Sequence, residues 1–342
     1  MHKQRLKKIA RFIPLSGENP ACPWLWAGTW SLAGMGYGGA DYRISKKCLE
    51  FAFEKGIRHF DTAGFYGKGA SERLIGEMFS SNRKEIFVSS KGGLVWDGNR
   101  VFHRAKPKAL EEQLFQSMER LQTDYIDLFQ LHWPDPAVPL DESFSALADL
   151  QERGLIRFWG AGNLTAEQIF RYIPEGSLTP VQTTFNPCRP YNLHILDQGF
   201  RTGRTINCII SPFEQGLLVD PQFLSKSTGK KDVRSRNPLF SCRKLKDLLC
   251  HYFQRLENAP IGAPAFILLW LLGFRPVDII IPGPRTPEQV SQLMAHVPWI
   301  VERSALVSDI HEILRKEVGE DFFALLDQIG KTGTACLKGQ VH

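Results

Sequence analysis

Short apolar runs alternate with segments of helical period from about residue 24 to about residue 305, and the pair repeats eight times. The runs are WLWAGTW (24–30), IRHFDTA (57–63), EIFVSSKGG (85–93), YIDLFQLHW (125–133), IRFWGAGN (156–163), PVQTTFN (180–186), TINCIISPF (205–213) and DIIIPGP (278–284). Most are rich in Ile, Val, Phe or Trp, and several are apolar on both faces. Parallel strands covered on both sides read this way. Between them, RISKKCLEFAFEKG (43–56) repeats Cys48, Leu49, Ala52 and Phe53 at helical spacing and ends on Gly56, a C-cap signal. PKALEEQLFQSMERLQ (107–122) opens with Pro107, suited to a first turn, and carries Glu111 and Glu112 early. DESFSALADLQERG (141–154) predicts a helix capped by Asp141 and stopped by Gly154, and LTAEQIFRYI (164–173) one capped by Thr165. PAFILLWLLGF and PEQVSQLMAHV supply the last two. Eight strand–helix repeats are the arithmetic of an α/β fold, a (β/α)8 TIM barrel.

The chain of 342 residues is read as one domain, with the barrel at about 24–305 and a C-terminal helix and tail over 306–342. RFIPLSGENPACPWL (11–25) predicts a short N-terminal hairpin closing the barrel floor. Residues 213–258 form a long connection containing the basic, polar run SKSTGKKDVRSRN (225–237), and 331–342 read as a flexible tail. A connection that long in a compact domain is usually functional or mobile.

A hydrophobic content of 43% is ample for a large core. The net charge is a modest +6, and the basic residues are scattered without interleaved aromatics. Nucleic acid is therefore not the expected partner, while a small anionic ligand would suit the charge. The apolar run AFILLWLLGF is too short to span a membrane, and MHKQRLKKIARFIPL is interrupted by Arg11 and Pro14, unlike a signal segment. The seven cysteines form no CxxC pair and are read as reduced and buried in a cytoplasmic protein. Cys242, Cys250 and His251 lack zinc-finger spacing, and no metal is expected. The Asn163-Leu-Thr165 sequon is read as chance without a secretory signal.

One alternative architecture competes. GMGYGG (34–39) matches G-x-G-x-x-G, and Asp61 follows at the end of the next run, as in a Rossmann unit. That motif should begin at the strand end, however. Here Ser-Leu-Ala intervenes, and Asp41 reads as the cap of a helix starting beyond the glycines.

In a barrel, active residues project from the C-terminal ends of the strands. Those ends carry Asp61, with Tyr66 in its loop, then Lys91, His132, Asn163, Gln182, Ser211, and Gly283 with Arg285. Each has an ordinary reading. Lys91 could reach solvent, His132 could be a satisfied core histidine, and Asn163 and Gln182 could cap loops. Asp61 could cap a turn. Together, at corresponding positions of consecutive strands, they form a set. A buried lysine needs a carboxylate, and Asp61 supplies one. A tyrosine is a poor acid near neutrality, with a pKa of about 10, and a nearby Lys⁺ is expected to lower it. The combination describes a general acid aimed at an oxygen that gains negative charge, with a histidine donating alongside.

The span 24–300 resembles the aldo-keto reductases. The resemblance is carried by GIRHFDTAGFYGKGASERLIGE (56–77), VSSKGG (88–93), DYIDLFQLHWPDP (124–136), LQERGLIRFWGAGN (150–163) and IIIPGPRTPEQVSQL (279–293). It implies a (β/α)8 barrel, NADPH extended across the C-terminal mouth, and reduction of a small-molecule carbonyl to an alcohol. The family's catalytic tetrad falls on Asp61, Tyr66, Lys91 and His132, with Tyr66 the general acid and His132 orienting the carbonyl. The nicotinamide amide would meet Asn163 and Gln182. The pyrophosphate would lie near Ser211, Pro212, Phe213, Gly216 and Leu217. The end of the last strand, Pro282 and Gly283, leads to Arg285 and Gln289 at the adenosine end, with Arg285 on the 2′-phosphate. Phe65, Trp96 and Trp133 flank these positions and are candidates for the substrate pocket.

Three departures from the family pattern involve four positions. Gly162 stands where a serine often helps to hold the carboxamide. Ile210 stands where an aromatic often stacks on the nicotinamide. Gln292 and Leu293 replace a Glu-Asn pair that commonly contacts the adenine. These changes leave room for a second reading, a cofactor-binding regulatory subunit with little turnover, against which the intact tetrad argues.

Overall fold

A computed structural model describes residues 22–226, 228–229, 231–295, 297 and 310–338. Eight parallel strands form one sheet in the order β1 (Ala27–Gly28), β2 (His59–Asp61), β3 (Phe87–Gly92), β6 (Ile126–Leu131), β7 (Ile156–Gly162), β8 (Thr179–Thr184), β9 (Thr205–Ile210) and β10 (Ile279–Ile281). A parallel bridge between Leu25 and Ile280 joins the last strand to the first. Trp26 N also donates to the Ile280 carbonyl and Gly28 N to that of Pro282, at 3.0 and 2.7 Å. The sheet therefore curls into a (β/α)8 barrel, and every predicted strand run contributes one stave. GMGYGG is not a Rossmann turn. It is a surface loop in which Gly34, Gly36, Gly38 and Gly39 all have positive φ.

The first strand–helix units follow their sequence signals. α1 (Tyr42–Glu54) is capped by Asp41, whose carboxylate accepts from the amides of Arg43 and Ile44. α2 (Ala70–Phe79) follows β2. β4 (Leu94–Asp97) and β5 (Arg100–His103) form an antiparallel hairpin on the mouth side of β3, absent from the sequence reading. α3 (Pro107–Leu121) starts on its proline, as expected. α4 (Leu140–Glu152) begins two residues earlier than a cap at Asp141 predicts, with Pro139 at the cap position, so Asp141 sits in its first turn. An acid there still favours the positive helix end. α5 (Ala166–Tyr172) carries the Thr165–Gln168 capping box.

The C-terminal third departs further from expectation. After α6 (Leu193–Arg201) and β9, the 213–258 connection is not a bare loop, because it contains the 15-residue α7 (Arg243–Glu257). Leu245, Leu249, Tyr252, Phe253 and Leu256 form its buried face. α8 (Ala263–Leu272) is apolar on all sides because it is buried on all sides. α9 (Pro287–Ala295) closes the last repeat. Beyond it, α10 (Ile310–Val318) and α11 (Glu320–Lys338) cover α7 and α8. Phe322 of α11 packs on the rings of Tyr252 and Phe266, with centroids 5.6 and 5.1 Å away. The predicted tail is therefore helical through Lys338, and 339–342 lie outside the described residues. Most of the predicted N-terminal hairpin lies outside them as well.

α11 comes close to the mouth. A Cβ on Gly333 would lie 2.5 Å from the Cys188 carbonyl oxygen, and one on Gly330 would lie 2.7 Å from Pro190. Glycine at these positions lets the helix pack directly on the segment after β8. A Cys242–Cys336 disulfide ties the start of α7 to α11. This corrects the expectation of seven reduced, buried cysteines. Cys250 is also exposed, while Cys22, Cys48, Cys188 and Cys208 are free and buried. The bridge takes away the cysteine ground for a cytoplasmic location. No described helix is long and apolar enough to cross a membrane.

Candidate active site

Strand alternation sends Asp61, Ser89, Lys91 and Gln182 into the barrel, where they meet. Asp61 pairs with Ser89 in the β2–β3 register, so Lys91 lies one pleat further along the same face. Lys91 Nζ donates to Asp61 Oδ2 and to the Thr62 carbonyl, both at 2.7 Å, and lies 3.4 Å from the Tyr66 hydroxyl. Ser89 Oγ and Gln182 Nε2 donate to Asp61 Oδ1 at 2.9 and 2.6 Å. Gln130 Nε2 in turn donates to Ser89 Oγ at 2.8 Å. The ion pair is buried, with side-chain exposures of 1% for Lys91 and 4% for Asp61. Its desolvation cost is offset only because the carboxylate has these further donors.

Tyr66 reaches this group from a distorted turn. Gly67, Lys68 and Gly69 all have positive φ, which folds the chain tightly behind the tyrosine. The turn rests on a second, partly buried ion pair. Arg120 Nε donates to Glu72 Oε2 at 2.6 Å, and Ser90 Oγ donates to Glu72 Oε1 at 2.5 Å. Thr29 Oγ1 donates to the Asp61 carbonyl at 2.9 Å and adjoins Ser71 Oγ at 2.6 Å. Gly67→Ala should displace Tyr66, because its Cβ would lie 2.2 Å from the Ala33 carbonyl oxygen and its φ is 57°. We expect a loss of about 1–3 kcal/mol of stability and a larger loss of activity. Thermal unfolding and turnover on the same preparation check both.

The surroundings of Tyr66 are aromatic. Trp30 stacks on it with ring centroids 5.6 Å apart, and His132 meets it edge-on at 5.7 Å. Phe65 stacks on Trp96 at 4.9 Å and meets His132 at 5.8 Å. Trp96 Nε1 donates to the Phe65 carbonyl at 2.8 Å, and Lys68 Nζ donates to the Gly98 carbonyl at 2.8 Å. These contacts dock the β4–β5 hairpin beside the tyrosine. Trp133, the third expected pocket residue, is 45% exposed.

Burial governs the electrostatics. It pushes the Tyr66 hydroxyl well above the usual phenol range, and Asp61 pushes the same way. This corrects the expectation that Lys91 lowers Tyr66. Burial lowers Lys91 itself, against the opposing pull of Asp61. Burial, helped by Lys91, holds His132 well below the ordinary imidazole value, so the ring is neutral near pH 7. His132 Nδ1 is buried without a hydrogen-bond partner.

The other expected residues line the same mouth with different degrees of engagement. Asn163 has φ 60° and its Nδ2 donates to the His132 carbonyl at 3.0 Å. Gly162 is required beside it, because a Cβ there would lie 2.9 Å from that carbonyl oxygen. A serine would clash in this arrangement. Ser211 has φ 51°, and its carbonyl accepts from Asn186 Nδ2 at 2.9 Å. Pro212 is buried, Phe213 and Ile210 are partly buried, and the Leu217 side chain lies wholly in the core. Gly216 has φ 100° and packs under Phe223. The Pro282 carbonyl is used in barrel closure, and the Gly283 carbonyl accepts from Ser31 Oγ at 3.3 Å. Arg285 N donates to Gln289 Oε1 at 2.8 Å, and its Nη2 donates to the Gly39 carbonyl at 2.5 Å. Leu293 is buried in the core.

Several supporting residues were not foreseen. Trp30 follows β1, the strand end that the sequence reading passed over. Glu214 accepts from Asn186 Nδ2, Arg189 Nε and Nη2, and Asn237 Nδ2, at 2.7–2.9 Å. It thus ties the turn after β9 to the segment after β8. Arg234 pairs with Asp232 at 2.6 Å in the long connection. No group of three or more potential metal ligands occurs among the described residues.

The aldo/keto reductase family model matches residues 25–299. Aldo-keto reductase YhdN of Bacillus subtilis is 30% identical over 308 residues, 87% of this chain and 92% of that protein. The NADH-specific methylglyoxal reductase of Escherichia coli is 27% identical, over 90% of this chain and 98% of its own. Among solved structures, a glycerol dehydrogenase from Gluconobacter oxydans superposes with a TM-score of 0.72 at 28% identity, covering 90% of this chain and 95% of that one. With the family model spanning the whole barrel, the chain belongs to the aldo/keto reductase family, which reduces carbonyls with NAD(P)H.

Proposed function

We propose that the protein is an NADPH-dependent reductase of small carbonyl compounds, with Tyr66 as general acid. One observation carries the reading: a buried Lys91–Asp61 pair sits 3.4 Å from the Tyr66 hydroxyl, and His132 edges the same ring. The surrounding residues fit a dinucleotide. Ser211, Glu214, Gln215 and Gly216 hold φ values of 51°, 45°, 58° and 100°, a left-handed cluster of the kind found around bound ligands. Arg285 makes no carboxylate ion pair among the described residues, which suits an anionic end.

NADPH, when bound, would supply a hydride for the carbonyl carbon. Tyr66 then gives its proton to the oxygen. A raised phenol remains competent here, because it starts protonated and the alkoxide that hydride transfer creates is a far stronger base than a phenolate. Lys91, fixed by Asp61, places a cation beside the forming tyrosinate. His132 is neutral. Its orphaned Nδ1 is better left as a lone pair than as an N–H, so Nε2 carries the proton and donates to the carbonyl oxygen. Trp30, Phe65 and Trp96 exclude water and offer apolar surface to the substrate.

NADPH fluorescence titration followed by turnover on a panel of aldehydes and ketones tests this function. Saturable binding with consumption of NADPH is expected. Tight binding with no turnover on any substrate would favour the regulatory-subunit reading instead. The NADPH preference is assigned to Arg285, and Arg285→Ala should narrow the NADPH-to-NADH affinity ratio by about tenfold or more. An unchanged ratio removes Arg285 from the phosphate site.

A further inference from the structure

Asp232 and Arg234 sit where the long connection after β9 touches the glycine loop after β1. Val233 N donates to the Gly36 carbonyl at 2.6 Å. A Cβ on Gly38 would lie 3.6 Å from Asp232 Oδ2. Arg285 Nη2 holds the next carbonyl along, that of Gly39. One short loop therefore brings an acid and two guanidiniums to the same edge of the mouth.

The charges are not equally available. Asp232 Oδ1 accepts from Arg234 N and Nε, both at 2.9 Å, and Oδ2 accepts from Arg234 Nη2 at 2.6 Å. Arg234 is further held against the rings of Tyr37 and Phe223, 5.4 and 4.5 Å from their centroids. The charges of Asp232 and Arg234 offset each other, and what stays open on the acid is acceptor capacity facing the glycine loop. A carboxylate has about four acceptor sites, so roughly one remains, on Oδ2, the oxygen beside Gly38. Burial first, and then Arg234, lowers the affinity of Arg285 for its proton, while Asp232 opposes them, so all three groups feel one another.

We propose that Asp232 sets the choice between the two nicotinamide dinucleotides, accepting a hydrogen bond from the ribose 2′-hydroxyl of NADH and repelling the 2′-phosphate of NADPH. The inference rests on the nucleotide reading of this mouth. A hydroxyl can donate to the remaining lone pair, whereas a phosphate dianion offers no donor. Arg285 draws the phosphate in, and Asp232 opposes it. The outcome is a site that takes both nucleotides with a modest preference, unlike one built from arginines alone.

Dissociation constants for NADPH and NADH, from protein fluorescence quenching, test this without turnover. For the unaltered protein we expect the two to lie within about tenfold to a hundredfold. Asp232→Asn keeps the turn cap and the shape but removes the charge and frees Arg234. It should tighten NADPH and weaken NADH, moving their ratio by about tenfold or more. In Asp232→Asn/Arg285→Ala, the released Arg234 should restore part of the NADPH affinity lost in Arg285→Ala. An unchanged ratio in Asp232→Asn, or equal weakening of both nucleotides, would overturn the proposal and leave Asp232 a structural latch. A ratio above about a thousandfold in the unaltered protein would overturn it too, even if the variant failed to fold. Failure of the unaltered protein to bind either nucleotide would instead overturn the nucleotide reading.

Discussion

Tyr66→Phe should lower turnover by about 10²–10⁴-fold, the usual worth of a positioned general acid, while leaving NADPH affinity within about twofold. The substitution removes one oxygen and keeps the ring. Trp30 can still stack on it and His132 can still meet its edge, so the aromatic wall survives. Lys91 keeps Asp61 and the Thr62 carbonyl as acceptors. Stability is therefore expected to change little, and kcat is the quantity that moves. An active variant would remove Tyr66 from the acid role.

The same residue makes a spectroscopic prediction within this test. Burial and Asp61 both favour the neutral phenol. The Tyr66 titration, read as the difference between the parent and Tyr66→Phe in tyrosinate absorbance, should lie above that of free tyrosine, at about 10. Bound nucleotide then adds its own charges to this balance. A titration below 10 in the nucleotide-free protein would show that Lys91 outweighs burial.

Much of this arrangement can be read in the sequence, because a barrel turns strand ends into a list of site residues. Asp61, Lys91 and Gln182 lie in apolar runs, and period-two alternation with parallel register is enough to bring them together. What could not be read there is the balance of energies. Lysine and tyrosine side by side predict a lowered phenol, but the extent of burial reverses the sign. The β4–β5 hairpin had a signal in Asp97-Gly98, a turn dipeptide between the short apolar runs Leu94–Trp96 and Val101–Phe102, yet each strand has only four residues and is exposed or only partly buried. α7 likewise shows helical spacing at Leu245, Leu249, Tyr252 and Leu256, obscured by the basic run before it. The role of Gly162 is different again. It looks like a lost serine in the sequence, and only the position of the His132 carbonyl shows that no side chain fits there. Asp232, Val233 and Arg234 meet Gly38, Gly36 and Tyr37 across a loop-to-loop contact, which carries no local periodicity at all.

Asp61→Asn should be the most destabilising of the conservative changes at this site, by about 3–5 kcal/mol, because it leaves a buried ammonium without its counter-ion. The asparagine oxygen can accept from Lys91, but its amide must then face Ser89 or Gln182, which both donate to Asp61 in the native protein. The pH dependence distinguishes this cause from simple misfit. Lys91 already has a lowered folded value, with Asp61 the main influence holding it up. Without Asp61 it falls further below 10.5, the ordinary value retained in the unfolded chain. Between the two values the unfolded state holds the extra proton, so stability rises with pH. The deficit of Asp61→Asn should therefore be full below the variant's own Lys91 value and shrink as pH rises to the parent's folded value, which itself lies below 10.5. Urea unfolding at several pH values reads this directly. A deficit independent of pH would mean that packing, not the uncompensated charge, is lost. Asp61→Asn/Lys91→Met should recover much of the stability lost in Asp61→Asn, since the double change removes both charges. It should recover none of the activity, because the cation beside Tyr66 is gone.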